Sequence, residues 1–217
     1  MKRKPRNPHK PMIEFLRTRA LAAFDYSLPT ARRHGPLGYI DYTSFKPWLR
    51  DEFAFRCLYC LTRERWFPVG HEGFSVEHYI AQSLASALRC KYENLLYVCC
   101  ACNAARREIA LPFDPTQGPL SAHVRITREG NAEALTIEGA QFIDICRLNR
   151  PARVDFRRRL LNLLATAQED VLLDWLAYPD DLPELSTQRP PAGNSRLAGI
   201  AESHFERRRR GELPPVY

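Results

Sequence analysis

R-C-L-Y-C at 56–60, F-S-V-E-H-Y-I-A-Q-S at 74–83 and Y-E-N-L-L-Y-V-C-C-A-C-N at 92–103 follow one another within fifty residues and decide the reading of this chain. Cys57 and Cys60 make one C-x-x-C pair, and Cys99 and Cys102 make a second. Two such knuckles of soft thiolates can hold one tetrahedral zinc. A carboxylate (Glu77), an imidazole (His78) and two amides (Asn94 and Asn103) stand between and beside the knuckles, and these could build a second, catalytic site.

The local pattern supports a small mixed core. F-S-V-E-H reads as a strand, residues 79–93 as a loop or weak helix, and Leu95 to Val98 as a second short strand. A helix is expected from Asn103 to Ala110, beginning just after the second knuckle. Two strands and a helix around a metal give an α+β class.

Further out, residues 1–11 read as a basic arm broken by Pro5, Pro8 and Pro11. Ile13, Leu16, Ala20, Leu21 and Phe24 stand at helical spacing over 12–24. A loop with Pro29, Gly35, Pro36 and Gly38 follows. Ser44 is placed to cap a helix over 45–55, with Phe45, Trp48, Leu49 and Phe53 on its apolar side. After the core, residues 112–139 read as an appended hairpin with a turn at 129–131 and a returning strand over Ala134 to Ile137. A short helix is expected over 139–149 and a long one from Arg153 to about Ala177. Pro179, Pro183, Pro190 and Pro191 then suggest a linker. Ser195 is placed to cap a last helix ending in Arg207 to Arg210. The chain divides on this reading into 1–43, 44–111, 112–178 and 179–217.

The bulk numbers narrow the class. A net charge of +7 over 217 residues raises the local concentration of polyanions. No apolar run is long enough to span a bilayer, and no apolar segment follows the basic N-terminus as in a secretory signal. A cytoplasmic protein is expected. Seven cysteines are an odd number, which with no signal argues against a disulfide framework. Cys90, Cys100 and Cys146 remain as buried or spare thiols. Redox chemistry at C-x-x-C is disfavoured, because two pairs occur and no βαβ pattern surrounds either.

The stretch from Cys57 to Glu108 resembles the HNH endonuclease family, whose fold is the ββα-metal core. The resemblance rests on Cys57-x-x-Cys60, then Glu77-His78, then Asn94-Leu95, then Cys99-x-x-Cys102-Asn103. It covers about a quarter of the chain. Asp114-Pro115, the hairpin, Thr136-x-x-Gly139 and Leu148-Asn149-Arg150 also resemble bacterial HNH proteins of anti-phage defence. Glu77 departs from the Asp or His of many relatives and reaches one methylene further.

The resemblance implies a metal-dependent endonuclease that hydrolyses DNA, or RNA, leaving 5′-phosphate and 3′-hydroxyl ends. It gives His78 the role of general base, which suits an imidazole that titrates near neutrality. It gives Glu77 and Asn103 the role of oxygen ligands for a catalytic Mg²⁺ or Mn²⁺. Asn94 braces the loop that holds His78. The four cysteines hold a structural zinc, closed to water. Arg106 and Arg107, on the helix after the second knuckle, are placed to contact phosphate. Each piece has a plainer alternative: a turn for Asn94, a helix cap for Asn103, a solvated face for Arg157 to Arg159, solubility tails for the basic termini. Two rival functions stand beside the nuclease. One is a zinc-knuckle module that grips nucleic acid without cutting. The other is a subunit whose long helix at 153–177 docks onto an ATPase.

Overall fold

The computed structural model describes residues 10–25, 32–196 and 198–217, and these form helices around two small sheets, an α+β arrangement. The expected basic arm at 1–9 and the part of the loop that holds Pro29 lie outside the described residues.

The central pair is β1 (Phe74–His78) and β2 (Leu95–Cys99), antiparallel, with Phe74 opposite Cys99 and His78 opposite Leu95. All of β2 is buried, as is all of β1 but Ser75. The strands do not alternate apolar and polar residues because helices and loops cover both of their faces. Helices α2 (Lys46–Glu52) and α3 (Cys100–Arg106) pack on this pair. Ser44 does not cap α2. Asp41 instead accepts from the Thr43 amide at 3.0 Å and starts a 3-10 turn, after which α2 begins with Pro47 in its first turn. α3 begins at Cys100, inside the second knuckle, three residues before the expected start. It stops at Arg107, whose φ of 57° lies in the left-handed region.

The appended hairpin is β3 (Val124–Ile126) paired with β4 (Ala132–Ala134). The returning strand is earlier than expected because Thr136 has another task. It caps α4 (Ile137–Ile145), accepting from the Gly139 amide at 3.0 Å. A Cβ on Gly139 would stand 2.0 Å from the His123 carbonyl oxygen, so this position admits only glycine. Asn149 pairs with both backbone groups of Ala132 (2.7 and 2.8 Å) and so ties the hairpin to the end of α4.

The single long helix expected over 153–177 is two helices, α5 (Pro151–Thr166) and α6 (Glu169–Leu176). The break has a long-range cause. Arg17, on α1 (Lys10–Leu21), donates to the carbonyl oxygens of Leu164, Ala165 and Ala167 and so satisfies the C-terminus of α5. α1 packs against both α5 and α6, and Leu160, Leu164, Leu172 and Leu176 are buried there. This apolar side is covered by the chain's own α1.

The proline-rich stretch after Tyr178 is not a free linker. Leu182 and Leu185 are buried, and residues 192–195 pair with residues 35–37 through backbone hydrogen bonds. Ser203, not Ser195, caps the last helix, α7 (His204–Arg209), while Ser195 donates to the Gly35 carbonyl. One hydrophobic cluster runs from Leu16 to Val216 and contains Cys57, Cys60, Cys99 and Cys102. No helix among the described residues is long and apolar enough to cross a membrane.

Candidate metal centre and active site

The two knuckles meet. The sulfurs of Cys57, Cys60, Cys99 and Cys102 all lie within 4.8 Å of one another, and all four residues are buried. The Cys60 and Cys99 sulfurs are 3.8 Å apart. A tetrahedron with Zn–S bonds of about 2.3 Å has an edge of roughly 3.8 Å, so the spacing suits zinc. The first knuckle is a tight turn in which Leu61 adopts φ 61° and donates to the Cys57 carbonyl at 2.8 Å. The second is the junction of β2 and α3, with Cys99 extended and Cys102 in the first turn of the helix. Cys100 points outward and is exposed, which leaves it outside the cluster. The four thiols form a possible zinc site, closed by its own ligands.

A separate cavity of about 270 Å³ opens beside this centre, lined by Glu77 and His78 from β1, Asn103 and Arg107 at α3, and Tyr42, Gln82 and Glu108. Three of the residues expected to act together therefore do share one site. His78 is held at both ring nitrogens. Its Nε2 lies 2.9 Å from the Arg89 carbonyl oxygen, which can only accept, so Nε2 carries the proton. Nδ1 is then the acceptor, and the Gln82 amide donates to it at 3.2 Å. Tyr42 packs edge-on against the ring at 4.8 Å. Burial pushes the pKa of His78 below its ordinary value, so the ring is neutral at neutral pH.

Asn94 does not reach the cavity. Its Oδ1 accepts from the Ile80 amide at 2.8 Å, and its Nδ2 donates to the Ile80 carbonyl at 3.1 Å. It clamps the segment that follows His78, the position expected of a brace. Asn103 donates from Nδ2 to the Ser75 hydroxyl at 3.0 Å, which turns its amide oxygen away from Ser75.

Glu77 and Arg106 form the least expected contact. Arg106 is turned inward, 1% exposed, and pairs with the Glu77 carboxylate. It also donates to the carbonyl oxygens of His78, Tyr79 and Ile109. The expectation that Arg106 meets phosphate fails because its guanidinium locks the end of β1 to α3. Burial pushes the Glu77 carboxyl up to about 7, against the opposing pull of Arg106. Arg107 is exposed and faces the cavity, as a phosphate contact requires.

Among the described residues, members of the other basic runs are engaged within the chain. Arg157 is buried and donates to the Leu148 carbonyl. Arg209 and Arg210 pair with Glu206 and Glu212 at 2.8 Å, and Arg208 donates to the Pro179 carbonyl.

Tyr42, Gln82 and Glu108 were not singled out from the sequence. Gln82 stands four residues after His78, in the segment read as a loop or weak helix, whose pattern is too weak to aim it. Tyr42 comes from a segment read as lying before the core. No family model matches this chain, and no curated protein or solved structure matches it.

Proposed function

We propose that this protein is a metal-dependent endonuclease of the HNH type acting on DNA. The observation that carries the reading is the forced tautomer of His78: Nε2 keeps its proton and donates it in a hydrogen bond to the Arg89 carbonyl oxygen, which leaves Nδ1 with a lone pair on a residue that shares a cavity with Glu77 and Asn103. Hydrolysis of a phosphodiester needs a base that takes a proton from the attacking water. Nδ1 of a neutral, buried imidazole meets that need once the Gln82 amide moves aside. Arg107 is placed at the rim to hold a phosphate oxygen.

Two oxygen donors fit a hard cation, Glu77 through its carboxylate and Asn103 through its amide oxygen. Mg²⁺ commonly takes only one or two protein ligands and fills the rest with water and phosphate. When bound, such a cation stabilises negative charge on the phosphate and on the leaving oxygen. Zinc at the four cysteines has a structural role on this reading, because it pins the start of α3 and hence Asn103.

The hold of Arg106 on Glu77 favours a second reading, a zinc-knuckle module that binds nucleic acid without cutting it, since a paired carboxylate is a weaker cation ligand. Plasmid nicking separates the two. With Mg²⁺ or Mn²⁺ the parent should nick, and His78→Ala should lose about 10²- to 10⁴-fold in rate with zinc content and circular dichroism unchanged. A folded His78→Ala protein that cuts as fast as the parent would leave the binding module as the better account.

A further inference from the structure

A second cavity, of about 400 Å³, opens on the other side of α3. Trp66, Phe67 and Phe156 supply its aromatic wall, Arg150 and Arg153 its charge, and Ala101 its floor. Its volume falls within the ~300–1,000 Å³ of small-ligand sites, and its make-up of apolar wall plus a few polar groups is theirs too. No carboxylate lines it. The neighbouring 520 Å³ cavity, which shares Phe67, is lined by Glu64, Glu72, Asp174, Asp180 and Asp181 against Arg65 and His71, so acidic groups outnumber basic ones there. Trp66 already packs against Phe24 at 5.3 Å, which leaves Phe156 as the wall ring with no ring partner among the described residues. The Nε of Arg153 is buried without a hydrogen-bond partner, and its guanidinium also feels the charge of the four cysteine sulfurs, so Arg150 stands nearer the open mouth. Arg150 is fixed by a 2.9 Å bond to the Ala101 carbonyl.

Aromatic rings beside guanidinium groups are the chemistry that takes a flat base and its phosphate. We propose that this cavity is a nucleotide subsite, which takes one unstacked base of a single strand whose scissile phosphate lies at His78. The proposal rests on the nuclease reading and names its substrate as a strand with at least one unpaired base.

The geometry of α3 links the two sites. Ala101 lines this cavity and Asn103 the first. Two residues on a helix differ by about 200° in direction, so the cavities are separated by roughly the ~10–12 Å width of the helix. The face between them carries Cys100, Ala101 and Ala104, all exposed and all small, and ends at Arg107. A strand can pass close to such a face. At ~3.4 Å per stacked nucleotide, about three nucleotides cross it.

The test is an abasic scan with the zinc-loaded full chain and no added divalent metal. A short labelled single-stranded oligonucleotide is made with one abasic position moved stepwise along it, and binding is read by anisotropy. Adenosine 5′-monophosphate is titrated in parallel by calorimetry. The parent should lose about 5- to 150-fold in affinity when the abasic position falls at one register. Phe156→Ala should lose a similar factor on the intact strand and become insensitive to that position. Binding of the mononucleotide that Phe156→Ala removes, without a register on the strand, assigns the same nucleotide chemistry to a free ligand. No register in the parent together with no mononucleotide binding overturns the subsite. Cleavage of the same single strand with Mg²⁺ or Mn²⁺ is scored separately: cleavage without either binding signal sinks the subsite alone, and a register without cleavage sinks the nuclease reading and leaves the cavity as the base-binding site of a module that does not cut.

Discussion

At the scale of single residues, the pieces legible in the sequence were those whose chemistry is tied to order along the chain. Glu77 and His78 are adjacent on a strand, and Asn103 follows Cys102, so a zinc that joins the knuckles brings them together. Gln82 and Tyr42 were not legible, because their approach to His78 depends on how an irregular loop and a distant 3-10 turn pack. Arg106 differs from its expected role for a related reason: its spacing places it on α3 but does not say that it faces inward to Glu77. Asn94 was read as a brace, and its bonds to both backbone groups of Ile80 give that role a form that can be tested. Asn94→Ala takes the partner from the Ile80 amide and carbonyl, which water can partly replace, at about 0.5–1.5 kcal/mol for each bond lost. Urea denaturation should show a loss of that size. Nicking should slow as the loop after His78 loosens, while zinc content stays the same. An unchanged rate in the folded variant would mean that the loop holds His78 without Asn94.

At the scale of elements, α3 is too short to stand by itself, and a zinc at the four cysteines would hold its first turn. The helix has seven residues, and isolated helices shorter than about 12–15 residues are marginal in water. Its first turn contains Cys102, so the cluster supplies at that end what propensity cannot. Purified protein should hold about one zinc per chain. Structural zinc sites bind with apparent free energies of ~10–16 kcal/mol in small peptides, as large as the whole ~5–15 kcal/mol stability of a typical domain. Cys60→Ser should therefore lose zinc and folded protein together, read by metal analysis and by solubility. A mutant that folds normally without zinc would remove the cluster as the organiser of this region. The same scale shows where pattern reading runs out. The apolar spacing from 153 to 177 is helical throughout, yet the chain breaks at Ala167 because Arg17, about 150 residues away, takes the carbonyl oxygens there. Nothing local to the break encodes that partner.

At the scale of the whole molecule, the proline-rich stretch looked like a linker because its composition is that of one, and its burial depends on partners far away in sequence. The C-terminal part is fastened at Asp51 on α2. The carboxylate of this fully buried residue accepts from His34 Nε2 and from His204 Nδ1, each at 2.8 Å, and from the His204 amide at 2.7 Å. Arg33 lies 3.0 Å away. One carboxylate thus joins the segment of Arg33 and His34, α2 and the start of α7. Burial alone would raise the pKa of Asp51, but the hydrogen bonds from His204 and His34 and the charges of His204 and Arg33 lower it well below the usual carboxylate range. A carboxyl whose folded value is depressed stabilises fully above its unfolded pKa of ~3.9, and that contribution is lost as the pH falls toward the folded value. Asp51→Asn should cost about 3–5 kcal/mol at pH 7, because it strips the charge from a buried, paired network. The gap between parent and variant should be constant from pH 7 to about 5 and should narrow below pH 4. Urea denaturation of both proteins at pH 7, 5 and 3 measures this. A gap as wide at pH 3 as at pH 7 would mean that the fastening depends on the shape of the side chain and not on its charge.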